Sequence, residues 1–184
     1  PLITLGASCT TQHGKTPIKI HGPIQGGVVE IDGSVSSQFL TGLLIALPYC
    51  QNDSEVHALN LTSKPYIRMT IDLLKKYGIT IQTDDKLEKF EIKGGQTYIA
   101  PTYTIEGDWS GAAFPLVAGA IAGEVSVSRL DVESHQADRR IIEALELAGA
   151  KLGYAGDVVT VSRSELKAFT FDATHCPDLF PPLA

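Results

Sequence analysis

Leu40, Leu43, Leu44 and Leu47 recur at i, i+3, i+4 and i+7, the spacing of one helix face, and predict a helix over residues 36–47. Ile67, Ile71 and Leu74 draw a second apolar stripe over 65–77, opened by Ser63 and Pro65 and stopped by Gly78. Short apolar runs bounded by turn residues predict strands at 28–31, 55–59, 79–83 and 87–92. The second half repeats the series. It predicts a strand at 103–106, a helix at 109–122, a strand at 125–130, a helix at 136–148, and a strand pair at 151–154 and 158–162. Residues 169–172 predict a strand that opens a further unit.

The repeat also shows in single residues. Gly33 and Ser36 stand 74 positions before Gly107 and Ser110, and Leu74, Gly78 and Ile81 stand 71 before Leu145, Gly149 and Leu152. The common unit is βαβαββ, too long for a solenoid repeat, so the fold class is α/β (α+β) built from repeated units. Pro115 falls inside the third helix and is expected to kink it or shorten its first part. Asp108, just before that helix, suits an N-cap.

Chemistry enters at the helix starts. Ser36 and Ser37 precede the first leucine stripe and Ser63 precedes the second, so each can cap its helix or join the unpaired backbone N–H groups in binding an anion. Gln38 adds an amide that donates and accepts at once.

Composition narrows the partners. The 184 residues are 43% hydrophobic and 20% charged, ordinary for a soluble globular protein of one or two domains. A formal charge of -6 without a Lys/Arg cluster argues against a general nucleic-acid or anionic-membrane surface, so any phosphate site is local. Cys9, Cys50 and Cys176 are odd in number and lack paired spacing, which speaks against a disulfide framework or a zinc site and for a reducing compartment. No apolar run approaches the roughly 20 residues needed to cross a bilayer.

Several blocks carry a resemblance. Gly33-Ser34-Val35-Ser36-Ser37-Gln38-Phe39-Leu40, Ser63-Lys64-Pro65-Tyr66-Ile67, Glu106-Gly107-Asp108, Gln136-Ala137-Asp138-Arg139 and His175-Cys176-Pro177-Asp178 span nearly the whole chain. In content, order and approximate spacing they are similar to the 5-enolpyruvylshikimate-3-phosphate synthases, the enolpyruvyl transferases of the shikimate pathway. The resemblance implies that residues 1–103 form part of a first domain and 104–184 part of a second, similar one, with the crossing near 104–108. It also implies that this is the middle of a longer, cytoplasmic and monomeric enzyme, both ends reading as cuts. That enzyme would move the enolpyruvyl group of phosphoenolpyruvate to the 5-hydroxyl of shikimate 3-phosphate, in aromatic amino acid biosynthesis, with no metal or organic cofactor.

Residue by residue, the resemblance places Ser36, Ser37 and Ser63 on the 3-phosphate and Gln38 on both substrates; Tyr66 reads either as packing its ring against the shikimate ring or as core. From the residues alone Asp178 reads as a helix cap, and the resemblance instead matches it to the proton acceptor. The cationic phosphoenolpyruvate site and the proton-donating glutamate match nothing here. Two positions depart from the pattern, Arg68 for an acidic residue and Cys176 for an aliphatic one. Two other readings share these residues. One is a non-catalytic phosphate-binding module of the same fold. The other is the related transferase acting on a UDP-sugar, against which the serine-containing runs argue.

Overall fold

A computed structural model describes residues 1–184, which divide into two compact units, Pro1–Pro101 and Thr102–Ala184. The first unit opens with an antiparallel hairpin, β1 (Ser8–Gln12) and β2 (Lys15–His21). Its two-residue turn puts His13 and Gly14 at φ 53 and 77, the pair of positive values that a type I′ turn requires. Nearly every hairpin residue is exposed, so no inside-outside alternation marks it in the sequence. There follow β3 (Val28–Asp32), α1 (Gln38–Ala46), a 3-10 turn (Leu47–Tyr49), β4 (Ser54–Leu59), α2 (Lys64–Lys76), β5 (Ile81–Thr83) and β6 (Lys89–Ile92). The sheet order is β3-β4-β6-β5, with β3 and β4 parallel and the other pairs antiparallel. A parallel pair needs a crossover, and α1 supplies it.

Leu40, Leu44 and Leu47 meet Val56, Ile67 and Phe90 in one buried core. Each fully buried leucine of this kind contributes about 1.5–3 kcal/mol. The opposite face of α1 leaves Phe39 and Ile45 exposed, so the helix is apolar on both sides while these residues cover one. α2 ends as its sequence predicts: Gly78 takes φ 82, and the Ile79 N–H reaches back to the Leu74 carbonyl at 3.0 Å.

The second unit comprises α3 (Trp109–Ala122), β7 (Glu124–Val127), a 3-10 turn (Ala137–Arg140), α4 (Ile141–Leu147), β8 (Lys151–Ala155), β9 (Val158–Ser162), a second 3-10 turn (Pro177–Leu179) and α5 (Phe180–Leu183). Its sheet is antiparallel, in the order β7-β9-β8. α4 repeats the ending of α2, with Gly149 at φ 84 and the Ala150 N–H on the Leu145 carbonyl at 2.9 Å. The two glycines spaced 71 apart are therefore the same helix stop used twice.

Three expectations are corrected, and a fourth is narrowed. Residues 103–106 form no strand: Tyr103, Thr104 and Ile105 are exposed, and backbone pairing is limited to the join where the Gly107 N–H meets the Arg129 carbonyl at 2.8 Å. Residues 169–172 form no strand either, the Asp172 carbonyl being taken by the Arg140 guanidinium. The helix expected over 136–148 begins as a 3-10 turn and becomes α-helical only at Ile141, since Gln136 and Asp138 turn their side chains to α3. Pro115 does not shorten α3, which runs from Trp109 to Ala122; Asp108 anchors its first turn by accepting the Ser110 and Gly111 N–H groups, both at 3.1 Å.

The other repeated glycine is explained by contact. A Cβ on Gly107 would lie 2.4 Å from the Arg129 carbonyl oxygen, and one on Gly33 2.7 Å from Leu61 Cδ1. Gly107→Ala is expected to destabilise the 184-residue chain by about 1–3 kcal/mol in urea denaturation, the usual range for overpacking. By contrast Gly42→Ala, where an added Cβ meets nothing within 4 Å on helix α1, should stabilise it by about 0.5–1 kcal/mol. Equal and small effects of the two would refute the contact explanation.

Candidate functional site

Because β3 and β4 are parallel, the helices that follow them start at the same end of the sheet. Backbone and side-chain bonds tie the starting loops together: the Gly33 N–H donates to the Leu59 carbonyl at 2.8 Å, and the Thr62 hydroxyl and N–H donate to the Gly33 carbonyl at 3.2 and 3.5 Å. This places Ser36, Ser37 and Gln38 at the head of α1 and Ser63 and Tyr66 at the head of α2, on adjoining loops. Two helix N-termini at one sheet end form an electropositive edge suited to an anion.

The serines are not ordinary caps. Ser36 Oγ accepts the Gln38 N–H at 3.1 Å, whereas the Ser37 hydroxyl, at the N-cap position itself, makes no capping bond. Ser63 likewise makes none and sits at φ 52, with Asn60, the first residue after β4, at φ 51. Left-handed backbone at two non-glycine residues in one short loop costs free energy and is commonest at functional sites. Ser37 and Ser63 are buried, while Gln38 is exposed and Tyr66 half-buried. Asp32 closes the first loop by accepting the Ser34 N–H at 2.9 Å; that bond, the Ser34 hydroxyl and the Asn60 amide hold its carboxyl below the usual carboxylate range. The cations nearest in sequence are committed elsewhere, Lys64 to the Lys86 carbonyl at 2.9 Å and Arg68 to the Asp85 carbonyl at 3.1 Å.

Asp178 lies in the second unit, on the 3-10 turn Pro177–Leu179. It is exposed between two fully buried neighbours, Cys176 and Leu179, and α5 carries no side-chain cap bond. The loop before it is closed locally: Asp172 Oδ1 accepts the Thr174 hydroxyl at 2.6 Å and the Thr174 N–H at 2.9 Å, which together lower its pKa. Burial pushes the Cys176 thiol up, with Arg140 acting in the opposite sense.

The Gln136-Ala137-Asp138-Arg139 run proves to be internal scaffolding. Gln136 accepts the Trp109 N–H and donates to the Gly107 carbonyl, both at 2.9 Å, and the fully buried Asp138 accepts the Ser110 hydroxyl. Arg139 donates to the Val132 carbonyl. A residue that the sequence did not single out, Arg140, makes the most bonds to the Asp178 loop, and its membership in a basic pair beside Glu143 was the available signal. A cleft of about 470 Å³ in the first unit lies elsewhere, at the opposite end of β3 and β4 against the Asp53–Lys93 pair, and contains none of these residues.

Comparison with known proteins bears on all 184 residues: the family described as EPSP synthase (3-phosphoshikimate 1-carboxyvinyltransferase) matches residues 1–184. The 3-phosphoshikimate 1-carboxyvinyltransferase of Methanocorpusculum labreanum is 42% identical over the whole chain, and that of Psychromonas ingrahamii is 45% identical over 88% of it. The chain spans 43% and 39% of their respective lengths. A solved structure of EPSP synthase from Acinetobacter baumannii matches 97% of the chain at TM-score 0.69 and 23% identity, and the match covers 42% of that protein. By the family match over its full length, the chain belongs to the EPSP synthase (3-phosphoshikimate 1-carboxyvinyltransferase) family.

Proposed function

We propose that the whole protein containing this chain transfers the enolpyruvyl group of phosphoenolpyruvate to the 5-hydroxyl of shikimate 3-phosphate, and that this chain holds the 3-phosphate and supplies the proton acceptor. The reading is carried by the meeting of two helix starts, bearing Ser36, Ser37 and Ser63, at one end of the β3–β4 pair. In it the two serine hydroxyls of α1 and that of Ser63 donate to phosphate oxygens, Gln38 reaches both substrates, and Tyr66 packs on the shikimate ring. Residues 1–103 and 104–184 then belong to two similar domains of the transferase fold.

The chemistry balances as an addition followed by an elimination. The 5-hydroxyl oxygen bonds to C2 of phosphoenolpyruvate as its proton leaves to Asp178, and the methylene carbon takes up a proton, giving a tetrahedral intermediate. Loss of phosphate from C2 and of a proton from the new methyl group restores the double bond. A single positioned carboxylate suits the first step. The cations that bind phosphoenolpyruvate and the proton donor are assigned to the remaining length of the relatives, more than half of which this chain does not span.

The test is phosphate release by the purified full-length protein given both substrates, which should occur, set beside the 184 residues alone, which should show none. Catalysis requires both substrates held together, and the proposed phosphoenolpyruvate groups are not in this chain. A full-length protein that binds shikimate 3-phosphate without turnover would support the phosphate-binding module. Turnover on a UDP-sugar instead would move the chain to the related transferases.

A further inference from the structure

We infer that Arg140 is a positioning residue for the Asp178 carboxylate, an inference that rests on the proposed role of Asp178 as proton acceptor. Arg140 Nε and Nη2 grip the two oxygens of Glu143 at 2.8 and 3.1 Å, which fixes the plane of the guanidinium. The remaining nitrogen, Nη1, donates to the Asp172 carbonyl at 2.7 Å and lies 3.7 Å from Cys176 Sγ. Arg140 Cζ lies over the Phe171 ring, 4.6 Å from its centroid. One side chain on the turn before α4 therefore touches Phe171, Asp172 and Cys176, three points of the six residues that run into Pro177 and Asp178.

The consequence lies in how Asp178 is suspended. Residues 169–172 have no strand partner to hold them, and Asp178 itself is exposed. Its position is set by the buried Cys176 on one side and the buried Leu179 on the other, joined by the Leu179 N–H to the Cys176 carbonyl at 3.1 Å. Leu179 is anchored by packing. Cys176 is anchored by packing, by its N–H on the Ala173 carbonyl at 3.0 Å and by Arg140, which also holds the Asp172 carbonyl, so Arg140 ties the start of the turn to α4 and thereby helps to aim the carboxylate. Lysine cannot replace it: an ammonium is a point donor, unable to fork onto Glu143 and still reach the Asp172 carbonyl in a fixed direction.

The test is a double-variant cycle in the full-length protein with Arg140→Ala, Asp178→Asn and both together. Displacement of a reacting group by about an ångström costs up to roughly 100-fold, so Arg140→Ala should lower kcat by about 10- to 100-fold. The KM for shikimate 3-phosphate should stay within about twofold, since the phosphate-binding serines are untouched. In the Asp178→Asn background the same change should alter kcat by less than about twofold, because there is no basic carboxylate left to aim. Added guanidinium ion should restore part of the activity of Arg140→Ala. If Arg140→Ala prevents folding, Arg140→Lys is carried through the same cycle and should lose turnover in the wild-type background alone. Equal loss in both backgrounds, or no loss in the wild type, overturns the positioning role while leaving Asp178 as the acceptor. Full activity of Asp178→Asn instead overturns the underlying assignment, and the two failures are thus distinct.

Discussion

Asp178→Asn in the full-length protein is expected to lower turnover by about 10²- to 10⁴-fold, the usual contribution of a positioned general base, while shikimate 3-phosphate still binds. The amide has the shape of the carboxylate and can accept a hydrogen bond, but it cannot take the 5-hydroxyl proton. A structural collapse is not expected, because the side chain is exposed and the turn that carries it is held by Cys176 and Leu179. Nor is a helix cap lost, as α5 has no side-chain cap bond. Steady-state phosphate release and calorimetric titration of shikimate 3-phosphate decide the matter together. Turnover above about a third of wild type would remove Asp178 from the chemistry.

Ser36→Ala combined with Ser37→Ala is expected to weaken shikimate 3-phosphate by about 10²- to 10⁴-fold and unphosphorylated shikimate hardly at all, taking about 1.5–3 kcal/mol for each hydrogen bond to a charged group. Ser37 is the cleaner member, since it caps nothing and its loss removes no bond inside the protein. Ser36 also accepts the Gln38 N–H, so its replacement should cost about 0.5–1.5 kcal/mol of stability besides the phosphate contact. A thermal melt measures that part separately. If calorimetry shows both ligands weakened equally, the serines serve to form the helix and do not address the phosphate.

Much of the fold was legible along the chain because its helices carry strong signals at both ends. The leucine stripe of α1, the Ser-x-Pro opening of α2 and the glycines that stop α2 and α4 are local features, settled within a few residues by sterics and hydrogen bonding. The serines were legible in the same way, as residues at helix starts. Whether they cap was not legible, because the choice turns on a backbone conformation such as the φ of 52 at Ser63, in a loop that Thr62 ties to Gly33 of the neighbouring loop.

The misses share a cause as well. Residues 103–106 and 169–172 have the composition of strands, yet a strand exists only where a partner offers its N–H and C=O groups, and the partner is a distant part of the chain. The hairpin Ser8–His21 is the converse: its residues are nearly all exposed, so pairing and a two-residue turn make it where no apolar pattern announces it. The sequence by itself determined the apolar helix stripes, the glycine stops that recur in both units and the residue types able to bind phosphate or accept a proton, because these depend on short-range sterics and on the chemistry of single side chains. Only the tertiary structure decided which strands pair, that Ser36 and Ser63 start helices at one end of a parallel pair, and that Arg140 reaches across 32 positions to hold the loop before Asp178, because each of these depends on contacts that close only when the chain has folded.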